Sequence, residues 1–133
     1  MIRVNNLDES VSFFKDSLGL IEVKRDDYPQ WECTLVYLAV KKGDPEIELT
    51  YNWGQKEPYS QGKNMGHLAF EVEDIYASCQ RIKENGAVIN RPPRDGKMAF
   101  VKSPDGISIE LLQKGEPLAP AEPWASDANI GDW

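Results

Sequence analysis

The order strand, helix, three strands occurs twice in this 133-residue chain, and the duplication limits the fold more than any other feature. Met1-Ile2-Arg3-Val4 leads into one apolar-periodic segment as Ala69-Phe70-Glu71-Val72 leads into another. Ile47-Glu48-Leu49 closes the first copy as Ile109-Glu110-Leu111 closes the second. Leu7, Val11, Phe14 and Leu18 recur at the spacing of one helical face, which predicts a helix over 6–18. Asn6 is placed to cap it, Glu9 stands at N3 as in a capping box, and Gly19 supplies the residue after its end. Residues 73–85 repeat the design, with Ile75, Cys79 and Ile82 on one face and Gly86 behind.

Strands are expected over 1–4, 20–24, 34–40 and 46–51, and again over 67–72, 87–90, 98–102 and 107–112. Lys42-Gly43-Asp44-Pro45 and Ser103-Pro104-Asp105-Gly106 read as turns. The fold class is therefore α+β, two tandem β-α-β-β-β modules. Residues 1–114 are expected as a single domain with repeats 1–51 and 66–114, joined by a polar linker that starts at Asn52.

Composition narrows the partners. The chain carries 15 basic and 22 acidic residues, a net charge of −7, which suits neither non-specific phosphate-backbone binding nor a nucleic-acid partner. No apolar run approaches the ~20 residues of a membrane span, so no membrane partner is expected. Cys33 and Cys79 make no disulfide framework, and Met1-Ile2-Arg3-Val4-Asn5 opens no signal peptide; a cytoplasmic location is expected. Both cysteines are expected in buried apolar positions away from any site, and Trp31 and Trp53 in the core or a pocket wall. Residues 115–133 carry Pro117, Pro120, Pro123, Trp124, Trp133 and four acidic residues without a base. Two readings stand for them: a disordered acidic tail, or a segment docked by its tryptophans on the domain or on a partner subunit.

Two carboxylates lie inside apolar strands. Alternation sets Glu46, Glu48 and Thr50 on one sheet face and Ile47 and Leu49 on the other; Glu110 points away from Ile109 and Leu111. A lone strand glutamate is ordinarily a solvated outer-face residue. Here the same place is used in both copies, and a symmetry-related pair of inward carboxylates is costly to bury unless a shared metal ion compensates. His67, the only histidine, begins the first strand of the second copy and has those carboxylates to meet. The repeat puts the matching position of the first copy two residues before Met1. A chain symmetric in its ligands would have its first ligand there, so either the start is displaced or the protein uses three ligands.

Met1-Ile2-Arg3-Val4, Ile47-Glu48-Leu49-Thr50-Tyr51-Asn52-Trp53-Gly54, Gly66-His67-Leu68-Ala69 and Ser103-Pro104-Asp105-Gly106 followed by Ile109-Glu110 resemble glyoxalase I (lactoylglutathione lyase) of the vicinal oxygen chelate superfamily. The resemblance covers about residues 1–114. It implies a metal site of two His and two Glu, of which Glu48, His67 and Glu110 are present. It implies a homodimer whose sites join the first repeat of one subunit to the second repeat of the other. The implied reaction converts the hemithioacetal of methylglyoxal and glutathione to S-lactoylglutathione. The metal polarises the substrate oxygens and stabilises an enediolate, and Glu110 moves the C1 proton to C2. Arg3 and Asn52 match glutathione-binding positions. Arg91 and Lys97, in a basic loop, resemble the clamp on the glycyl carboxylate; as residues alone they read as a solvated loop. The short linker resembles the nickel or cobalt type more than the zinc type. The same superfamily holds non-catalytic small-molecule binders, and their fold is the second reading.

Overall fold

The computed structural model describes residues 1–133, which divide into two compact units, Met1–Gln61 and Gly62–Trp133. In the first unit β1 (Ile2–Arg3), α1 (Leu7–Ser12), β2 (Ile21–Tyr28), β3 (Cys33–Ala39) and β4 (Ile47–Asn52) follow in order. The sheet order is β1-β4-β3-β2, with β1 parallel to β4 and the other pairs antiparallel. The second unit repeats this with β5 (His67–Val72), α2 (Ile75–Glu84), β6 (Ile89–Arg91), β7 (Met98–Lys102) and β8 (Ser108–Gln113), in the order β5-β8-β7-β6. The two β-α-β-β-β modules expected from the duplication are thus present.

The strand registers agree as well. Ile2 pairs with Leu49 and Ala69 pairs with Glu110. Continued by one residue, the first ladder sets Met1 against Glu48, as Ala69 stands against Glu110. The position equivalent to His67 then falls two residues before Met1, the same place the repeat in the sequence assigns.

Each module buries one face of its sheet. Leu49, Val36 and Leu38 are fully buried in module one with Phe14; Ile109, Val101 and Ala99 are fully buried in module two with Ile75, Cys79 and Ile82. Each large apolar side chain so removed from water contributes about 1.5–3 kcal/mol. Burial pushes the Cys79 thiol up to about 12, so it stays a neutral apolar filler. Asn6 accepts the Glu9 N–H at 3.2 Å and Asp74 accepts the Ala77 N–H at 2.9 Å, capping the two helices. Gly19 (φ 84°) and Gly86 (φ 86°) take the left-handed conformation that follows each.

Several elements depart from the expectation. The first helix is α only over Leu7–Ser12 and continues as a π-helical turn over Phe13–Ser17, with Leu18 N–H bonded to the Phe13 carbonyl at 3.1 Å. Within this turn the adjacent Phe13 and Phe14 both reach the core, edge to face at 5.3 Å. Strand β2 runs on to Tyr28 because Lys24-Arg25-Asp26-Asp27 keeps its pairing with β3. In module two, α2 starts at Ile75 because Asp74 is its cap, and β6 is shifted to Ile89–Arg91. Trp31 is not core: it is 69% exposed in a short 3-10 turn (Pro29–Trp31) and stacks on Tyr28 at 5.3 Å. Trp53 is also exposed, its indole N–H donating to the Thr34 hydroxyl at 2.9 Å.

Residues 115–133 are docked on module two. Leu118 N–H donates to the Gly96 carbonyl at 3.1 Å, and the Tyr76 hydroxyl to the Ala119 carbonyl at 2.9 Å. Trp124 is 5% exposed with the Lys83 ammonium 5.7 Å from its ring centroid. Arg94 donates to the Asp127 carbonyl at 3.0 Å and to the Asn129 side chain at 2.8 Å. Asn90 closes the segment with a pair of bonds: its carbonyl accepts the Ile130 N–H at 2.8 Å and its amide donates to the Ile130 carbonyl at 3.0 Å. Of the two readings of this segment, docking holds, and the surface it docks on belongs to its own module.

Candidate metal and substrate faces

Side-chain alternation along paired strands gives each sheet a second face, opposite the buried one. In module two this face carries His67 on β5, Ser108 and Glu110 on β8, and Phe100 and Lys102 on β7. The His67 side chain is 45% exposed and that of Glu110 14%. His67 Nε2 stands 3.1 Å from Glu110 Oε2, and the His67 ring meets Phe100 edge-on at 5.4 Å. Ser108, paired with His67 across the ladder, has a buried hydroxyl with no hydrogen-bond partner.

In module one the equivalent face carries Glu48, Thr50 and Asn52 on β4, Tyr37 on β3 and Arg3 on β1. The Thr50 hydroxyl donates to Glu48 Oε1 at 3.0 Å, and the Asn52 amide donates to the Tyr59 hydroxyl at 3.0 Å. Tyr37 pairs with Glu48; burial, and then the Glu48 carboxylate beside it, push its phenol above the usual tyrosine range. Arg3 pairs with Thr50 and is exposed. Cys33 is buried as expected, but it pairs with Asn52, so alternation sets it on the Glu48 face rather than away from it.

The basic loop is bonded to itself and to the chain at the end of β8. Arg91 donates to the Asp95 carboxylate at 2.9 Å and to the Met98 carbonyl. Lys97 donates to the Gln113 carbonyl at 3.0 Å and the Gly115 carbonyl at 2.8 Å. Burial alone would raise the Asp95 carboxyl, but the Lys97 N–H, the Arg91 guanidinium and the Met98 N–H outweigh it and hold it below the usual range. Arg91 and Lys97 each keep unspent N–H groups, since a guanidinium has five and an ammonium three.

No three His, Cys, Asp or Glu side chains converge within the chain. The donor pair of module two nonetheless fits a divalent ion. Two ligands each about 2.1 Å from one ion stand about 3.0 Å apart at a right angle and about 3.4 Å apart at a tetrahedral angle. The 3.1 Å between His67 Nε2 and Glu110 Oε2 lies inside that interval. An imidazole nitrogen with a carboxylate oxygen suits several divalent transition ions and selects none of them. Phe100, Ser108 and Tyr37 are additions to the residues the sequence singles out. Their only signal is cross-strand pairing, which appears once the register is known.

Known proteins resemble this chain in sequence and fold. The family model for the Glyoxalase/Bleomycin resistance protein/Dioxygenase superfamily matches residues 1–111. A probable lactoylglutathione lyase from Synechocystis sp. is 42% identical over 120 residues, covering 85% of this chain and 91% of that protein. A lactoylglutathione lyase from Haemophilus influenzae is 39% identical over 120 residues, covering 85% and 88%. The solved structure of a trypanothione-dependent glyoxalase I from Leishmania major superposes with a TM-score of 0.80 at 36% identity, covering 86% of this chain and 83% of that one. The duplicated modules and these matches together make the chain a member of the glyoxalase/bleomycin resistance protein/dioxygenase superfamily.

Proposed function

We propose that the chain is a lactoylglutathione lyase, a metal-dependent glyoxalase I that isomerises the hemithioacetal of methylglyoxal and glutathione to S-lactoylglutathione and so removes methylglyoxal. The observation that carries this reading is the His67–Glu110 pair on an accessible sheet face, with Glu48 at the equivalent strand position of the other module. The names of the relatives at about 40% identity agree with it and do not favour a non-catalytic binder.

Glu48, His67 and Glu110 are the assigned metal ligands, with nickel or cobalt preferred to zinc. When bound, the ion polarises the substrate oxygens next to the carbon that loses its proton. Glu110 takes that proton from C1 and returns it to C2. One C–H bond breaks and another forms within the same molecule, and the C1 hydroxyl proton passes to the C2 oxygen, so no outside oxidant is needed. A base must come within about 2.6–3.2 Å of the proton's heavy atom, and a carboxylate on a regular strand is held rigidly enough to do so. Arg3 and Asn52 are assigned to the glutathione moiety. Arg91 and Lys97 are assigned to its glycyl carboxylate, which they would hold through the N–H groups their own loop leaves unspent. The active form is a homodimer, with Glu48 of one subunit serving His67 and Glu110 of the other. No helix is long and apolar enough to cross a membrane, and a cytoplasmic location suits a glutathione substrate.

The test is thioester formation by protein loaded in turn with nickel, cobalt or zinc, given methylglyoxal with glutathione or with trypanothione. The expected result is S-lactoylglutathione, fastest with nickel or cobalt. Metal-replete protein that forms no thioester from either thiol overturns the reading. Light scattering at micromolar concentration should give a dimer; a monomer would sink the shared-site assignment.

A further inference from the structure

Residues 115–133 lie outside the stretch the family model matches, and they do more than cover apolar surface. They start on the helix side of module two, where Trp124 is buried against Lys83 of α2. They pass the outer strand of the sheet at Asn90 of β6, held by the two bonds to Ile130. Two residues further on they stand on the opposite face. Asp132 pairs with Lys102 at 3.0 Å, and the Trp133 ring lies 6.3 Å from Phe100, tilted by 38°. Lys102 holds the Asp132 carboxyl below its usual range. Phe100 and Lys102 are the β7 residues on the face of His67 and Glu110.

Phe100 is therefore touched from two sides, by Trp133 and by the edge of the His67 ring. Phe100 is 7% exposed, on a face where the His67 side chain keeps 45% and the Lys102 side chain 32% of its surface. His67 itself is nearly half exposed, and its fixed contacts are the Glu110 carboxylate and this Phe100 ring. A carboxylate oxygen alone leaves the imidazole free to swing about the bond; an aromatic edge contact fixes its plane.

We propose that Trp133 is a positioning residue for His67, acting through Phe100, and that the segment 115–133 is a strap whose function is to carry Trp133 to the metal-binding face. The inference rests on His67 being a metal ligand, as assigned above. Trp133 touches neither substrate nor metal in this scheme. It narrows the orientations of one ligand before the ion arrives, so its loss lowers affinity for the ion more than the rate once the ion is bound. Asp132 acts with it by pinning the strap to Lys102.

Cobalt(II) binding to the full chain, followed by calorimetry and by its visible absorption spectrum, tests this. Trp133→Ala should weaken cobalt binding by about 3–10-fold, less than the ~10–100-fold typical of a direct hydrogen-bonding partner of a ligand. It should also alter the ligand-field spectrum of the bound ion. Trp133→Phe should restore both, and kcat at saturating metal should change little. Trp31→Phe, a change at an exposed tryptophan of module one outside the strap, should leave the spectrum as it was. Unchanged cobalt affinity and spectrum in Trp133→Ala overturn the inference while leaving the assignment of His67 intact. Failure of the parent chain to bind cobalt overturns that assignment and this inference together.

Discussion

In module one the carboxylate of Glu48 is flanked by neutral groups, the Thr50 hydroxyl that donates to it and the Tyr37 phenol across the ladder. In module two the carboxylate at the same strand position faces the only imidazole in the chain. Strand order and register are shared, so duplication preserved the slot while its neighbours diverged. A carboxylate steadied by hydroxyl donors is suited to remain a fixed oxygen ligand. One that shares its oxygen with an imidazole can exchange that partner, which is what a ligand that must also accept a carbon-bound proton requires.

The sharpest way to break this comparison is to make the same change in both modules. Glu110→Gln should lower turnover by ~10²–10⁴-fold, the scale of general base catalysis. Glu48→Gln should lose less at saturating metal and substrate, with bound metal quantified for each variant. Equal losses at equal occupancy would mean that the two carboxylates share the proton transfer and that the local difference has no catalytic consequence.

The helices give the next largest contrast. Phe14→Ala empties a fully buried site in the π-helical turn and should cost about 3–5 kcal/mol in chemical denaturation; Ile82→Ala in the regular α2 should cost about 2–5 kcal/mol. If Phe14→Ala costs under ~1 kcal/mol, the π-turn does not exist to bury that ring. The caps come below these. Asn6→Ala and Asp74→Ala should each cost about 0.5–2 kcal/mol, read as shifts of the denaturation midpoint.

Acid titration resolves the smallest effect. Hydrogen bonding from Arg25 lowers the Glu22 carboxyl in module one, and in module two the loop bonds outweigh burial and lower Asp95. Each lowered pKa adds stability that is present above the unfolded value, 4.5 for Glu22 and 3.8 for Asp95, and is lost as pH falls through the folded one. Glu22→Gln should therefore flatten the loss of stability starting below about 4.5, and Asp95→Asn the part starting below about 3.8. If neither variant flattens the curve, these bonds do not persist in solution.

Much of this was readable in the order of residues because duplication makes each half a check on the other. Ile47-Glu48-Leu49 against Ile109-Glu110-Leu111 locates the last strand of both modules, and the β1–β4 and β5–β8 ladders agree with it. What was not legible depends on contacts without a periodic signature. The π-helical turn that carries Phe13 and Phe14 has no signature in a pattern of 3.6-residue spacing. Lys24-Arg25-Asp26-Asp27 lacks the apolar alternation of a strand, yet β3 pairs with it. The path of 115–133 is set by bonds to Asn90 inside β6 and to Arg94 and Gly96 in the loop after it, positions with nothing in common in the sequence. The assigned metal and substrate residues were chosen by motif, and the structure adds their neighbours, Phe100 and Ser108 above all.

The route of the strap past Asn90 has a consequence for how the two sheets avoid sticking to other chains. An outermost strand presents unpaired N–H and C=O groups, a template on which a foreign strand can add. On β2 the run Lys24-Arg25-Asp26-Asp27 makes such addition unfavourable by charge. On β6, Ile89-Asn90-Arg91 offers less charge, and the Ile130 backbone already occupies part of its edge. Removing residues 115–133 should therefore leave module one as soluble as before and make module two the place where aggregation begins.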